Sequence, residues 1–269
     1  MTDETILADF GNSRLKLGRL YRGELRDVDA LPYTESAVTE WIRRAAPARP
    51  EQLLICTVIT DARLVTIRRQ LEHRFACPTH QVETPAAAYG VRVAYTKPHR
   101  LGVDRYVAMV AAHRSAPGHK LVVDAGTAMT LDILSTQGEH LGGYIVPGLG
   151  LQQDALRRNI ATVATHHRTA SSLVPGRDTA TATAAGQLLA LTGAIESACA
   201  RAAQWVDGPL HVILAGGDAP VIAPQLNVPH TVHPWLVLQG LAVIAAGQWV
   251  SLRIPAIHTT ATNPLPETI

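Results

Sequence analysis

The chain has 269 residues, 47% of them apolar, and a formal net charge of +2 at neutral pH. That length suits one large domain or two of ordinary size, and the apolar content builds a substantial core, so wholesale disorder is excluded. The basic residues are dispersed and barely outnumber the acidic ones, which excludes nucleic-acid binding driven by phosphate neutralisation.

In chain order, MTDETILADF lacks a basic region followed by a long apolar run, so no signal peptide is expected. TILADF alternates like a strand, GNS supplies a turn, and RLKLGRL alternates again through Leu15, Leu17 and Leu20. The Gly-Asn pair between these runs is a hairpin signal, since tight turns often need positive φ. YRGELRDVDAL fits a further turn and strand. SAVTEWIRRAA has helical composition with Ser36 as its cap, LLICTVI is a buried strand, and TDARLVTIRRQLEHRF is a helix. The order is βββαβα.

The second half repeats this order. KLVVDAGTAMTLDIL forms a hairpin, HLGGYIVPG a third strand, and LGLQQDALRRNIA a helix. TATAAGQLLALTGAIESACARAAQWV is a long helix, HVILAGG a strand, and WLVLQGLAVIAAGQWV a final helix. Two similar α/β domains with a cleft between them follow, joined near SAPGHK, where breaker residues separate the halves. The boundaries fall at 1–117 and 118–254, with 255–269 as a Pro- and Thr-rich frayed tail. No stretch reaches the roughly 20 apolar residues of a membrane span. Cys56, Cys77 and Cys199 lie far apart without metal spacing, so reduced thiols in a soluble cytoplasmic protein are expected.

The chemistry concentrates in a repeated turn. Asp9-x-Gly11-Asn12-Ser13 and Asp124-x-Gly126-Thr127 each place an acid at a strand end, then glycine, then small polar residues. Glycine lets backbone N–H groups approach an anion, hydroxyls add donors, and the acid can hold a cation that bridges to phosphate. One such turn would be an ordinary hairpin satisfying its own Asp or Asn. Two in matching places of a repeated topology fit two hairpins facing one triphosphate, with Lys16 supporting the first. No GxxxxGK[ST] or early GxGxxG motif occurs.

Between the halves, YTKPHRLGVDRYVAMVAAH opens a helix at Asp104-Arg105. Asp104 suits a helix cap, and the same position favours the charged carboxylate that a base requires; the residues leave both open. Arg105 offers a fork for a substrate carboxylate. LAGGDA puts paired glycines after a buried strand, which fits a nucleobase lying close to backbone or a plain turn. His166-His167 has no second cluster at ligand spacing and is read as solvated.

The set DFGNSRLK, LGVDR, DAGTAMTLD, GGYIVPGLGLQQDAL and LAGGDA, in this order, resembles the type III pantothenate kinases of the acetate-and-sugar-kinase, Hsp70 and actin superfamily. The resemblance runs from about Ile6 to Val250. It implies an α/β fold of two duplicated actin-like (ribonuclease H-like) domains, and transfer of the ATP γ-phosphoryl group to pantothenate at the entry to coenzyme A synthesis.

By position, the resemblance assigns Asp9, Phe10, Gly11, Asn12, Ser13, Arg14, Leu15 and Lys16 to the first ATP-phosphate loop, and Thr127 to an ATP contact. Asp124 matches the ligand of a monovalent cation, potassium or ammonium, used beside Mg2+-ATP. Asp104 matches the catalytic base. Tyr95, Gly102, Val103, Asp104, Arg105 and Thr179 match pantothenate contacts; Thr181 and Thr183 stand beside Thr179, and Ser13 replaces a common threonine. A homodimer with the acceptor pocket near its interface is implied, with no nucleic-acid or membrane partner. The alternatives are a non-enzymatic transcriptional accessory factor of the same family, and a superfamily kinase acting on another small alcohol.

Overall fold

Seven successive residues of the first strand are buried, a pattern that only a strand covered on both faces can satisfy. The structure, a computed structural model, describes residues 4–45, 49–160 and 172–246. His166, His167, the tail 255–269 and the end of the predicted last helix lie outside the described residues.

The first run of elements is β1 (Glu4–Phe10), β2 (Leu15–Tyr21), β3 (Glu24–Leu31), α1 (Glu35–Ala45), β4 (Gln52–Thr57), α2 (Ala62–Phe75) and β5 (Thr79–Gln81). A small hairpin of β6 (Ala87–Ala88) and β7 (Val91–Arg92) follows, then a 3-10 turn over Pro98–Arg100 and α3 (Val103–Ser115). The second run is β8 (His119–Ala125), β9 (Ala128–Leu134), β10 (His140–Pro147), α4 (Leu149–Asn159), α5 (Thr179–Ala202), β11 (Leu210–Ala215), α6 (Ala219–Ile222) and β12 (His230–Val232). The last described element is α7 (Leu236–Ala245).

The first sheet has the order β3-β2-β1-β4-β5 and the second β10-β9-β8-β11-β12, the same order twice. In each, the first two strands pair antiparallel, and the fourth strand of the set lies parallel to the first. The duplicated α/β architecture predicted from sequence is therefore present. The three-residue strands β5 and β12, THQ and HTV, are additions at the sheet edges, too short to show periodicity.

The chain divides into two compact units. One holds the described residues up to Pro117, Gln137–His140 and those from Trp235 onward. Its core packs Ile6, Ala8 and Phe10 of β1 and Leu15 and Leu17 of β2 against Val38 and Trp41 of α1 and Ile67 and Leu71 of α2. The buried Trp41 indole donates to the Asp27 carbonyl at 2.8 Å. α3 and α7 pack together, and α7 also contacts β1, β2 and β4. Residues Leu236 to Val243 of α7 are all buried, as expected of a helix apolar all round. The other unit holds Gly118–Thr136 and the described residues of Leu141–Pro234. There, Leu188, Leu191, Ile195, Ala198 and Ala202 of α5 recur at helical spacing over Leu121, Val123, Leu131 and Leu214 of the sheet.

Two local expectations change. Ser36 lies inside α1, and the Thr34 hydroxyl accepts from the Ala37 N–H at 3.4 Å, so the helix begins one residue before the predicted cap. The Gly-Asn turn of the first hairpin is a four-residue loop closed by the Phe10–Leu15 pair, and neither Gly11 nor Asn12 has positive φ. Glycine at position 11 answers instead to crowding: a Cβ would stand 3.3 Å from the Arg14 carbonyl oxygen.

Where α7 meets α3, a Cβ on Gly240 would lie 2.0 Å from the Val107 carbonyl oxygen. Gly240→Ala is expected to cost about 3 kcal/mol through forced separation of the helices. The helix propensity of alanine returns only about 1 kcal/mol. A lowered midpoint in urea unfolding followed by circular dichroism checks this.

Candidate functional site

In the first unit, Asp9 stands one residue before the end of β1 and is 3% exposed, opposite Lys16 across the ladder. Its carboxylate meets the Lys16 ammonium at 3.2 Å. Phe10 and Leu15, at the two ends of the loop, are fully buried. Of the eight residues assigned to the first ATP loop, these two can therefore meet a nucleotide only through their backbone.

The loop between them is asymmetric in its hydrogen bonding. The Gly11 carbonyl accepts from the Tyr33 hydroxyl at 2.5 Å, with the Arg14 carbonyl a more distant acceptor at 3.4 Å. The Asn12 carbonyl accepts from the Arg63 guanidinium at 3.3 Å. Among the described residues, no hydrogen bond uses the N–H groups of Gly11, Asn12 or Arg14. Occupied carbonyls and open amides are what an anion-binding turn requires.

Asp104 lies in the first turn of α3, after Gly102 at the cap position. Its Oδ1 accepts from the Arg105 N–H at 2.8 Å, and the cap position itself makes no side-chain hydrogen bond. A Cβ on Gly102 would stand 2.7 Å from Asp104 Oδ1, so glycine is what leaves the carboxylate its place. Arg105, 7% exposed, donates to the Tyr95 hydroxyl at 3.2 Å, and its guanidinium lies 5.9 Å from the Tyr95 ring centre. Tyr95 stacks on His140 at 6.0 Å. Tyr95, Gly102, Asp104 and Arg105 thus lie in one cluster, with Val103 between the glycine and the carboxylate in the chain.

Cys56 pairs with Asp9 across the parallel β1–β4 ladder and is wholly buried. Burial pushes its thiol well above the ordinary value, followed by the negative charges of Asp9 and Asp104, with Lys16 opposing. Both carboxylates are therefore near enough to act on one thiol.

In the second unit, Asp124 pairs with Thr130 near the end of β8, and the Gly126 N–H closes its hairpin on the Ala128 carbonyl at 3.2 Å. Two glycine turns clasp this hairpin. The Gly148 N–H donates to the Thr127 carbonyl at 3.0 Å, and a Cβ there would lie 2.0 Å from the Gly126 oxygen. Gly216, at φ +95°, leaves no room either, since its Cβ would reach within 2.3 Å of the Ala125 oxygen. Asp218 completes the clasp: its N–H donates to the Ala125 carbonyl at 2.9 Å, and its carboxylate accepts from the Leu149 N–H at 3.3 Å.

Thr179 is the first residue of α5 and is exposed. Thr181 is committed to a capping box: its N–H donates to Asp178 at 2.9 Å, and its hydroxyl faces the Asp178 N–H at 3.4 Å. Among the described residues, no hydrogen bond is made by the Thr179 or Thr183 hydroxyl, whereas the Thr181 hydroxyl is engaged by Asp178. Tyr33, Arg63 and Asp218 are the residues that sequence reasoning missed as supports of these loops. The LAGGDA motif pointed toward Asp218; nothing local marked the other two.

The sequence profile of the type III pantothenate kinases matches residues 5–201. The chain belongs to this family. A type III pantothenate kinase of Laribacter hongkongensis is 36% identical over 241 residues, 89% of this chain and 98% of that one. One from Alkalilimnicola ehrlichii is 35% identical over 250 residues, 89% and 97% of the two chains. Among solved structures, a Campylobacter jejuni protein described as a Baf-family transcriptional activator superposes with TM-score 0.59 at 20% identity, over 90% of this chain and 98% of that one. A Sinorhizobium meliloti protein described as a 2-dehydro-3-deoxygalactonokinase gives 0.54 at 17% identity, over 91% and 97%. At such identities the likeness shows the fold alone.

Burial raises the Asp218 carboxyl above its ordinary value, opposed by the Leu149 amide. Its stabilising contribution is therefore full below the unfolded carboxylate pKa and is lost as pH rises through the raised folded value. Asp218→Asn keeps an acceptor for Leu149 and does not titrate. The variant of this pantothenate kinase family member is expected to be more stable than wild type at pH 7, with the gain shrinking as pH falls. Urea midpoints taken between pH 4 and 8 measure the difference.

Proposed function

We propose that the protein transfers the γ-phosphoryl group of ATP to the primary hydroxyl of pantothenate, giving 4′-phosphopantothenate. The observation that carries this is the Asp104 carboxylate at the amino end of α3, in the family's Gly-x-Asp-Arg motif, with its place kept by Gly102. In a loose phosphoryl-transfer transition state, positioning and charge neutralisation supply most of the acceleration. Asp104 orients the acceptor hydroxyl and takes its proton late, as the bond to phosphorus forms. Arg105 and Tyr95 bind the pantothenate carboxylate and amide portion, and Thr179 contacts the same substrate.

The open amides of the first hairpin, with Lys16, bind the phosphates of ATP, and the family pattern gives Thr127 an ATP contact. Mg2+ bound with ATP supplies charge neutralisation at the phosphate oxygens. Among the described residues, no group of three or more His, Cys, Asp or Glu side chains could hold a metal. A single carboxylate such as Asp124 suits a loosely held monovalent cation shared with other oxygens, rather than a caged divalent ion. Potassium or ammonium at Asp124 is the reading these donors support.

A homodimer is part of the proposal. Leu141, Tyr144 and Ile145 on the edge strand β10 are exposed, as is Leu151 on α4, a helix with no buried residue. An apolar edge of this kind calls for cover, and a second copy provides it. Among the described residues, no helix is long and apolar enough to cross a membrane; the cytoplasm is the proposed location.

A coupled ADP-release assay across pantothenate and a panel of sugars tests the acceptor. Release with pantothenate alone is expected; release with a sugar and not pantothenate would replace the assignment. Asp104→Asn should lower turnover by about 10³-fold with the fold intact, and near-wild-type turnover removes the base role. Ile145→Glu should convert a dimer to a monomer in light scattering, whereas an unchanged mass refutes the β10 interface.

A further inference from the structure

A trans peptide points its C=O and the next residue's N–H in opposite directions. Holding the Gly11 carbonyl therefore aims the Asn12 amide, and Arg63 fixes the next peptide plane by holding the Asn12 carbonyl. A loop whose peptide planes could turn over would present carbonyl oxygens to a polyanion as readily as N–H groups, which replaces attraction by repulsion.

We propose that Tyr33, in the segment between β3 and α1, is a positioning residue for the nucleotide: with Arg63 it occupies the loop carbonyls from behind, so that the loop amides face the phosphates. The inference rests on the nucleotide role assigned above to the first hairpin. Both donors are themselves fixed. The Tyr33 ring stacks on the buried Phe10 at 6.3 Å, and the Arg63 guanidinium lies 5.0 Å from its centre. Arg63 is gripped by Asp61, the α2 cap residue, through Nε at 2.9 Å and Nη2 at 2.6 Å. Burial, then the charge of Asp9, raises the Tyr33 phenol above the ordinary tyrosine value, so the hydroxyl stays a donor at neutral pH.

Tyr33→Phe removes one oxygen and keeps the ring. A hydrogen bond of this kind corresponds to about a 3- to 10-fold change in affinity. The dissociation constant of a non-hydrolysable ATP analogue and the KM for ATP should rise by that factor. The KM for pantothenate and the melting temperature should be unchanged. Arg63→Met, made on a half-exposed side chain, should shift ATP affinity the same way and by less. Analogue binding by Tyr33→Phe as tight as wild type overturns the inference alone. So does a parallel rise in both KM values with a lowered melting temperature, the signature of a merely structural role. A wild-type protein that binds no analogue overturns the nucleotide reading itself, and the inference with it.

Discussion

The pairing of Phe10 with Leu15 is the constraint on which the first hairpin depends. Both side chains are fully buried, in a core that also takes Ile6, Ala8 and Leu17. A slip of one residue in β2 would turn Leu15 and Leu17 out of that core and Lys16 into it, so register is set by burial along the ladder. With the strand ends fixed, Asp9 must meet Lys16 and Cys56 as ladder neighbours, and four residues are left to close the loop. The open amides follow from that fixed frame and from the donors placed behind it.

The two hairpins stand on sheets of the same strand order yet are supported by different means. Side chains from outside the ladder, Tyr33 and Arg63, hold the first. Backbone holds the second, where Gly148 and Gly216 approach the turn so closely that no Cβ fits. A side-chain support can be altered one group at a time. A backbone support cannot be altered without moving the turn, because the donor is the main chain itself. The two sheets therefore share a strand order while the supports of their hairpins differ.

Much of this was legible in the sequence. Alternation gave both hairpins, the βββαβα order and the long helices, because those segments carry their period within a few residues. The segment around Asp104 was legible through the family resemblance, since Gly102, Val103, Asp104 and Arg105 are consecutive in the chain. Tyr33 and Arg63 were not, because a hydroxyl reaching a carbonyl 22 residues away leaves no local trace. The strands THQ and HTV are too short for a period. The supposed positive φ at Gly11-Asn12 failed for a related reason: the loop is longer than the dipeptide suggested, so its bend is shared among four residues.

The position of α7 has a consequence for how the chain acquires its fold. This helix is the last described element, yet it covers β1, β2 and β4 and packs along α3. During synthesis, the opening sheet therefore emerges from the ribosome with one apolar surface bare, and more than 100 residues must follow before its cover arrives. Contacts separated so widely along the chain carry a large closure entropy and form late. The nascent polypeptide thus waits, part-folded and adhesive, for a segment made much later, an interval in which cellular chaperones have something to hold.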